Sequence, residues 1–234
     1  MQSGARLRVA FFGGTFDPPH LGHLAVATAA RDGLHLDEVL FAPVGSQPLK
    51  PQGALASFTD RVEMTRLAIA GHRAFELSLA DAPHPAAGPN YTLDTLRSLR
   101  ADMPDGSELF CLMGADSFRS LGEWHGPAEI PFAAALIVAS RPGQRLDHLA
   151  ASLPAGLKLA PGDGKALRQS QIDVRAYKII NAAGETAPFY LLPDLDVEIS
   201  ASEIRAQLRQ SDDQPGGSVP PAVARYIRQH RLYR

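Results

Sequence analysis

The chain has 234 residues and carries 23 lysines and arginines against 25 aspartates and glutamates, a formal net charge of −2. That balance gives no global pull toward nucleic acid or an anionic membrane, so no partner of either kind is expected and any basic site must be local. At 45% hydrophobic and 21% charged, the chain can bury a sizeable core as one large domain or a domain with an added lobe.

Apolar runs of strand length alternate with segments of helical period. Leu7–Phe12 predicts a buried strand, followed by a turn at Gly13-Gly14. Leu21, Leu24, Ala25 and Thr28 space as a helix over Leu21–Ala30, and Val39–Ala42 is a second strand. Ser57 or Thr59 caps a helix that runs to Ala70 and is ended by Gly71. Phe75–Leu79 is a third strand, Thr92–Arg100 a helix, Leu109–Met113 a fourth strand and Ala134–Ala139 a fifth. The single cysteine, Cys111, lies inside the fourth strand and excludes an internal disulfide; it is expected to be core. Residues 142–188 mix Gly, Pro and polar residues with weak periodicity and are expected as an irregular excursion. Ser202–Gln210 and Val223–His230 predict short helices. Continuous apolar strands between helices imply an α/β fold, a Rossmann-like parallel sheet with helices on both faces and a small C-terminal helical part. The expected division is an α/β domain over 1–198 and a helical part over 199–234 that completes its site. Met1–Arg8 lacks the apolar run of a secretory signal, and no stretch nears the roughly 20 apolar residues of a membrane span. A cytoplasmic protein is expected, and the oligomeric state is left open.

The informative segment is Phe11-Phe12-Gly13-Gly14-Thr15-Phe16-Asp17-Pro18-Pro19-His20-Leu21-Gly22-His23. In an open α/β sheet, ligands bind beyond the carboxyl ends of the strands, and the turn after the first strand is a common phosphate site. Glycines there bring backbone N–H groups close to an anion, and the following helix aims its N-terminal dipole the same way. His20 and His23, three residues apart, share one helix face. Read one at a time, Gly-Gly is an ordinary turn and the histidines are surface residues or metal ligands without a third partner. Their coincidence points to phosphate.

Gly14-Thr15-Phe16-Asp17-Pro18 followed by His20-x-x-His23 resembles the signature of the HxGH nucleotidyltransferases, which transfer a nucleoside monophosphate from a nucleoside triphosphate. The resemblance implies that His20 and His23 are catalytic, stabilising the transition state at the α-phosphate without a covalent enzyme intermediate. ATP is then met by Gly13, Gly14, Thr15, Phe16, His20 and His23, and Mg²⁺ accompanies it. Ile199-Ser200-Ala201-Ser202-Glu203-Ile204-Arg205 resembles the second signature of that family, a hydroxyl-rich helix start, and adds Ser200, Ser202 and Arg205 to the ATP contacts. Ala201 departs from it, standing where relatives often carry a second serine. Lys50, in a proline-stiffened loop, resembles the basic residue that the family sends toward ATP.

Three further segments resemble the nicotinate mononucleotide adenylyltransferases: Asn90-Tyr91-Thr92-Leu93-Asp94-Thr95-Leu96, Gly114-Ala115-Asp116 with Trp124, and Ser140-Arg141-Pro142-Gly143. They imply nicotinate mononucleotide as the acceptor, contacted by Asp17, Tyr91, Thr92, Asp116, Trp124 and Arg141, with Trp124 stacking on the pyridine ring. No metal is expected on the protein's own side chains. The alternatives are phosphopantetheine adenylyltransferase, whose chains are typically shorter, another HxGH nucleotidyltransferase, and a non-catalytic nucleotide sensor. The absence of G-x-G-x-x-G after the first strand argues against a dinucleotide-dependent oxidoreductase.

Overall fold

The computed structural model describes residues 5–46, 53–83, 88–140, 149–162, 172–195, 199–210 and 217–234. In chain order these give β1 (Arg8–Gly14), α1 (Leu21–Leu34), β2 (Glu38–Pro43), α2 (Phe58–Ile69), β3 (Phe75–Leu77), α3 (Thr92–Asp102), β4 (Glu108–Gly114) and α4 (Ala115–Arg119). After a 3₁₀ turn at Leu121–Glu123 come α5 (Ile130–Ala133), β5 (Ala135–Ala139), β6 (Lys158–Pro161), β7 (Arg175–Ile180), β8 (Thr186–Leu192), α6 (Ala201–Gln210) and α7 (Pro221–Gln229). Among the described residues no helix is long and apolar enough to cross a membrane.

Two compact units divide the chain. The first comprises Met1–Phe12, Val26–Val39 and Tyr91–Asp196; the second comprises Gly13–Ala25, Leu40–Asn90 and Val197–Arg234. Residues 199–234, expected to complete the ATP site, thus fall in the same unit as the first signature.

In the first unit the strand order is β1-β4-β5-β8-β7-β6. β1 pairs parallel with β4, β4 with β5 and β5 with β8, through registers such as Val9↔Leu109, Cys111↔Leu136 and Leu136↔Phe189. Strands paired in parallel on both edges are covered on both faces, which is why Leu109, Phe110, Cys111, Leu112 and Met113 are all buried in one run. The expected parallel sheet is corrected beyond β8: β8–β7 and β7–β6 are antiparallel. The cause is local. Asn181 Oδ1 accepts hydrogen bonds from Ala183 N and Glu185 N, and this side-chain-closed turn sends β7 straight back into β8. Part of the expected excursion is therefore regular sheet, while 142–148 and 163–171 lie outside the described residues.

In the second unit α2, α6 and α7 bury Met64, Ala68, Ile204, Val223, Ile227 and Tyr233 in one cluster. Ser57 caps α2, its hydroxyl accepting from Asp60 N at 3.1 Å. Capping of this kind contributes about 1 kcal/mol.

Candidate active site

The first signature lies in the second unit, and its geometry differs from expectation at the glycines. Gly13 and Gly14 continue β1, and Gly14 C=O accepts from Val44 N at 2.9 Å. The turn comes afterward, at Phe16, whose φ is +48°. A Cβ on Gly14 would stand 3.1 Å from the Phe16 ring, a tight contact that the ring would have to yield to by a few tenths of an ångström. A bulky residue in the left-handed region costs roughly 1–3 kcal/mol and persists only when its surroundings over-determine it.

Those surroundings are visible. Arg61, almost fully buried, donates from Nη1 to Thr15 C=O at 2.8 Å. Arg205 donates from Nη1 to Asp17 C=O at 2.6 Å and from Nη2 to Ser202 Oγ at 3.1 Å. The Asp17 carboxylate, 5% exposed, accepts from Leu55 N at 2.7 Å, Ala56 N at 3.1 Å and the Tyr233 hydroxyl at 2.7 Å. Both oxygens of Asp17, the residue expected to contact nicotinate mononucleotide, accept hydrogen bonds within its own unit.

His20 and His23 stack with ring centroids 3.7 Å apart, and the Phe16 ring meets His23 edge-on at 4.9 Å. The stack follows from α1: His20 C=O accepts from His23 N, closing the first turn. His20 N donates to His23 Nδ1 at 3.2 Å, so the proton of the neutral His23 imidazole is on Nε2. Burial pushes the His20 imidazole down to about 4. His23 lies well below its ordinary value through burial and through the neighbouring His20 charge. The pair is neutral at pH 7, and stacked rings this close disfavour double protonation. Among the described residues His20 Nδ1 is buried without a hydrogen-bond partner, a polar atom that a bound ligand can satisfy. The helix start itself is less open than expected, because Leu21 N donates to Ser218 C=O at 2.9 Å.

The second signature opens α6 as expected. Ser200 C=O accepts from Ile204 N at 3.0 Å, which makes Ala201 the first helical residue. Gly13, Gly14, Thr15, Phe16, His20, His23, Ser200, Ser202 and Arg205 all belong to this unit. Lys50 and Arg141 lie outside the described residues.

Tyr91, Thr92, Asp116 and Trp124 belong to the first unit. α3 starts at Thr92 with Tyr91 as its N-cap and no side-chain cap. The Tyr91 ring packs on His125 at 4.4 Å, and a Cβ on Gly126, whose φ is +55°, would meet Leu93 Cδ2 at 2.5 Å. The missing side chain at Gly126 lets the α3 start close on the Trp124-His125-Gly126 turn. Trp124 is half-buried and its Nε1 donates to Ser120 Oγ at 3.3 Å, fixing the indole edge. Asp116 opens α4 at the carboxyl end of β4 and pairs with Arg119. Sequence reasoning missed Arg61, His125 and Tyr233. His125 carried only the weak signal of standing beside Trp124, and Arg61 and Tyr233 carried none. Among the described residues no group of three or more His, Cys, Asp or Glu side chains is placed to hold a metal.

Comparison with known proteins gives the family and the fold. The cytidylyltransferase-like family matches residues 11–207. A protein of Pelobacter propionicus named "Probable nicotinate-nucleotide adenylyltransferase" is 37% identical over 97% of this chain and 98% of its own length. One of the same name from Chromobacterium violaceum is 39% identical over 97% of this chain and 99% of its own length. The fold is similar to that of Plasmodium falciparum nicotinic acid mononucleotide adenylyltransferase complexed with NaAD. That match has a TM-score of 0.68 at 17% identity and covers 97% of this chain and 98% of the other.

Proposed function

The chain belongs to the cytidylyltransferase-like family, among its nicotinate-nucleotide adenylyltransferases, and from that premise we propose how its residues carry the reaction. AMP passes from ATP to nicotinate mononucleotide, giving nicotinate adenine dinucleotide and pyrophosphate. The stacked His20–His23 pair at the start of α1 carries this reading. The acceptor phosphate is already ionised, so attack on the α-phosphorus needs no general base. The bond to the pyrophosphate oxygen breaks as the new P–O bond forms.

Phosphoryl transfer depends chiefly on positioning and on neutralising charge. His23 Nε2–H and the His20 imidazole are the donors for the α-phosphate oxygens. A triphosphate beside two neutral, buried imidazoles raises their proton affinity, so ATP binding draws a proton onto the pair. Arg205 keeps donors beyond those given to Asp17 and Ser202 and meets the β- and γ-phosphates. Ser200 and Ser202 flank it. Lys50 joins the ATP contacts through the family resemblance alone. Mg²⁺ enters as the metal of the substrate MgATP, ligated by phosphate oxygens and water, and neutralises the departing pyrophosphate.

For the acceptor, Trp124 offers its face to the pyridine ring. Thr92 and the uncapped first turn of α3 offer donors to the carboxylate, and Asp116 accepts from ribose hydroxyls. Arg141 is assigned to the same substrate by resemblance. With ATP and a mononucleotide as substrates, the cytoplasm is the compartment proposed.

Pyrophosphate release is the test, with ATP and nicotinate mononucleotide, nicotinamide mononucleotide or phosphopantetheine. The expected result is turnover with the two pyridine nucleotides and at least tenfold higher kcat/KM for the carboxylate. A donor-lined site leaves the NH₂ of the amide unmatched, at a cost of about 1–3 kcal/mol. Turnover with phosphopantetheine alone, or with none of the three, would overturn the reading.

A further inference from the structure

We propose that Tyr233 is a positioning residue for adenylyl transfer: through its hydroxyl bond to Asp17 it holds the Thr15–Asp17 turn in the shape that sets His20 and Arg205. The inference rests on the adenylyltransferase reading above.

Several facts about the second unit support it. Asp17 Oδ1 accepts from Ala56 N and from the Tyr233 hydroxyl, and Oδ2 accepts from Leu55 N. The Tyr233 ring is 7% exposed and packs within the cluster of Met64, Ile204 and Ile227. An aliphatic residue or phenylalanine would fill that space; tyrosine adds a donor, and its 2.7 Å bond is to the carboxylate. Burial, and then the Asp17 carboxylate, push the phenol above its ordinary range, so the proton stays on the hydroxyl.

The backbone that delivers Tyr233 is itself strained. Arg231 and Tyr233 have φ of +51° and +68°. Leu232 N donates to Ile227 C=O, and Arg231 N to Arg228 C=O, folding the segment back under α7. Observed strain of this kind points toward function when it places a specific group. Here it places one hydroxyl on the residue next to Phe16, which is strained as well. Arg61 on Thr15 C=O and Arg205 on Asp17 C=O grip the same turn from α2 and α6. Tyr233 is the clamp on the side-chain side, and it ties the turn to the segment after α7.

Removing the hydroxyl leaves Asp17 Oδ1 with one donor, so the fold survives while the turn gains freedom. Small misplacement of catalytic groups costs rate more than binding of the distant substrate. In Tyr233→Phe, kcat should fall about tenfold, with KM for ATP raised and KM for nicotinate mononucleotide unchanged. The imidazole NMR signals of His20 and His23 should shift. Ile227→Val, which loosens the same cluster without touching the hydroxyl, should lower the melting temperature yet keep kcat and both imidazole signals. Unchanged kcat and unchanged signals in Tyr233→Phe, with an active wild type, would overturn the proposal alone. So would an equal loss of kcat in Ile227→Val, since packing would then be the cause. A wild type that fails to join ATP to nicotinate mononucleotide would overturn the underlying reading and this inference with it.

Discussion

In the second unit the polar groups of the candidate phosphate region are engaged with one another over long stretches of chain. Asp17 is bonded to Tyr233, Arg205 to Asp17, and Arg61 to Thr15. In the first unit the candidate acceptor residues make short-range contacts: Asp116 with Arg119, Trp124 with Ser120, and Tyr91 against His125. The contrast fits the roles proposed for the two regions. Charge that develops at a phosphorus in flight is stabilised by donors already in place, and any reorganisation during the step raises the barrier. A flat, mostly apolar ring is recognised by a face and a few donors, which tolerate adjustment. On the proposed reading, these preformed long-range bonds surround the groups assigned to the transition state.

The strongest way to break this contrast is His20→Ala. If the stacked pair acts on charge that appears during transfer, kcat should fall by roughly 10²–10³, as on loss of an oxyanion donor. KM for ATP should change less, because the interaction matters most in the transition state. Near-normal turnover in steady-state kinetics would move the pair back to a packing role.

The same burial gives a stability signature. The folded-state pKa of His20 is depressed from 6.5 to about 4, so the unfolded chain binds more protons than the folded one between those values. The advantage of keeping this histidine neutral is full above pH 6.5 and is lost as the pH falls toward about 4. From His20 that loss approaches about 3 kcal/mol, and His23 adds in the same direction. Urea titrations between pH 7 and pH 4 should show it, and His20→Gln should flatten the profile. A wild-type profile that is flat over that range would contradict the buried, neutral pair.

Arg205→Ala comes next. It removes a donor from Asp17 C=O and the cation proposed to meet the triphosphate, so KM for ATP should rise about tenfold, with KM for the acceptor nearly unchanged. Lysine should restore only part, lacking the fork that reaches Asp17 and Ser202 together. On the other side of the comparison the effects should be smaller. Trp124→Ala should weaken nicotinate and nicotinamide mononucleotides in parallel, by about three- to tenfold. Thr92→Val should cost the carboxylate acceptor more than the amide, measured by competition between the two.

What the sequence revealed follows the same division between local and distant. β4 and β5 were legible because neighbours on both edges force continuous apolar runs. α4 and α5 span five and four residues, too few for a helical period to register. β7 and β8 were hidden because they carry exposed residues within their runs, including Pro188, and their pairing depends on the side chain of Asn181. At the site, the histidines and Ser202–Arg205 were readable as contiguous motifs. The sequence places a turn at Gly13-Gly14, whereas both residues continue β1 and the turn follows at Phe16. The bond from Tyr233 to Asp17 joins residues 216 apart, and no periodicity marks such a pair in advance.

The far end of the first unit's sheet has a consequence for how copies of this molecule behave together. Beyond β7 the strand order finishes with β6, a strand of four residues that begins at Lys158 and closes at Pro161. Lys158 is exposed, so a chain docking along that edge would confront its charge, and Pro161 has no N–H to offer a new neighbour. A long bare strand rich in β-branched residues would invite another molecule to extend the sheet. Among the described residues this four-residue strand ends the sheet, and its exposed lysine and closing proline disfavour edge-to-edge extension by another molecule.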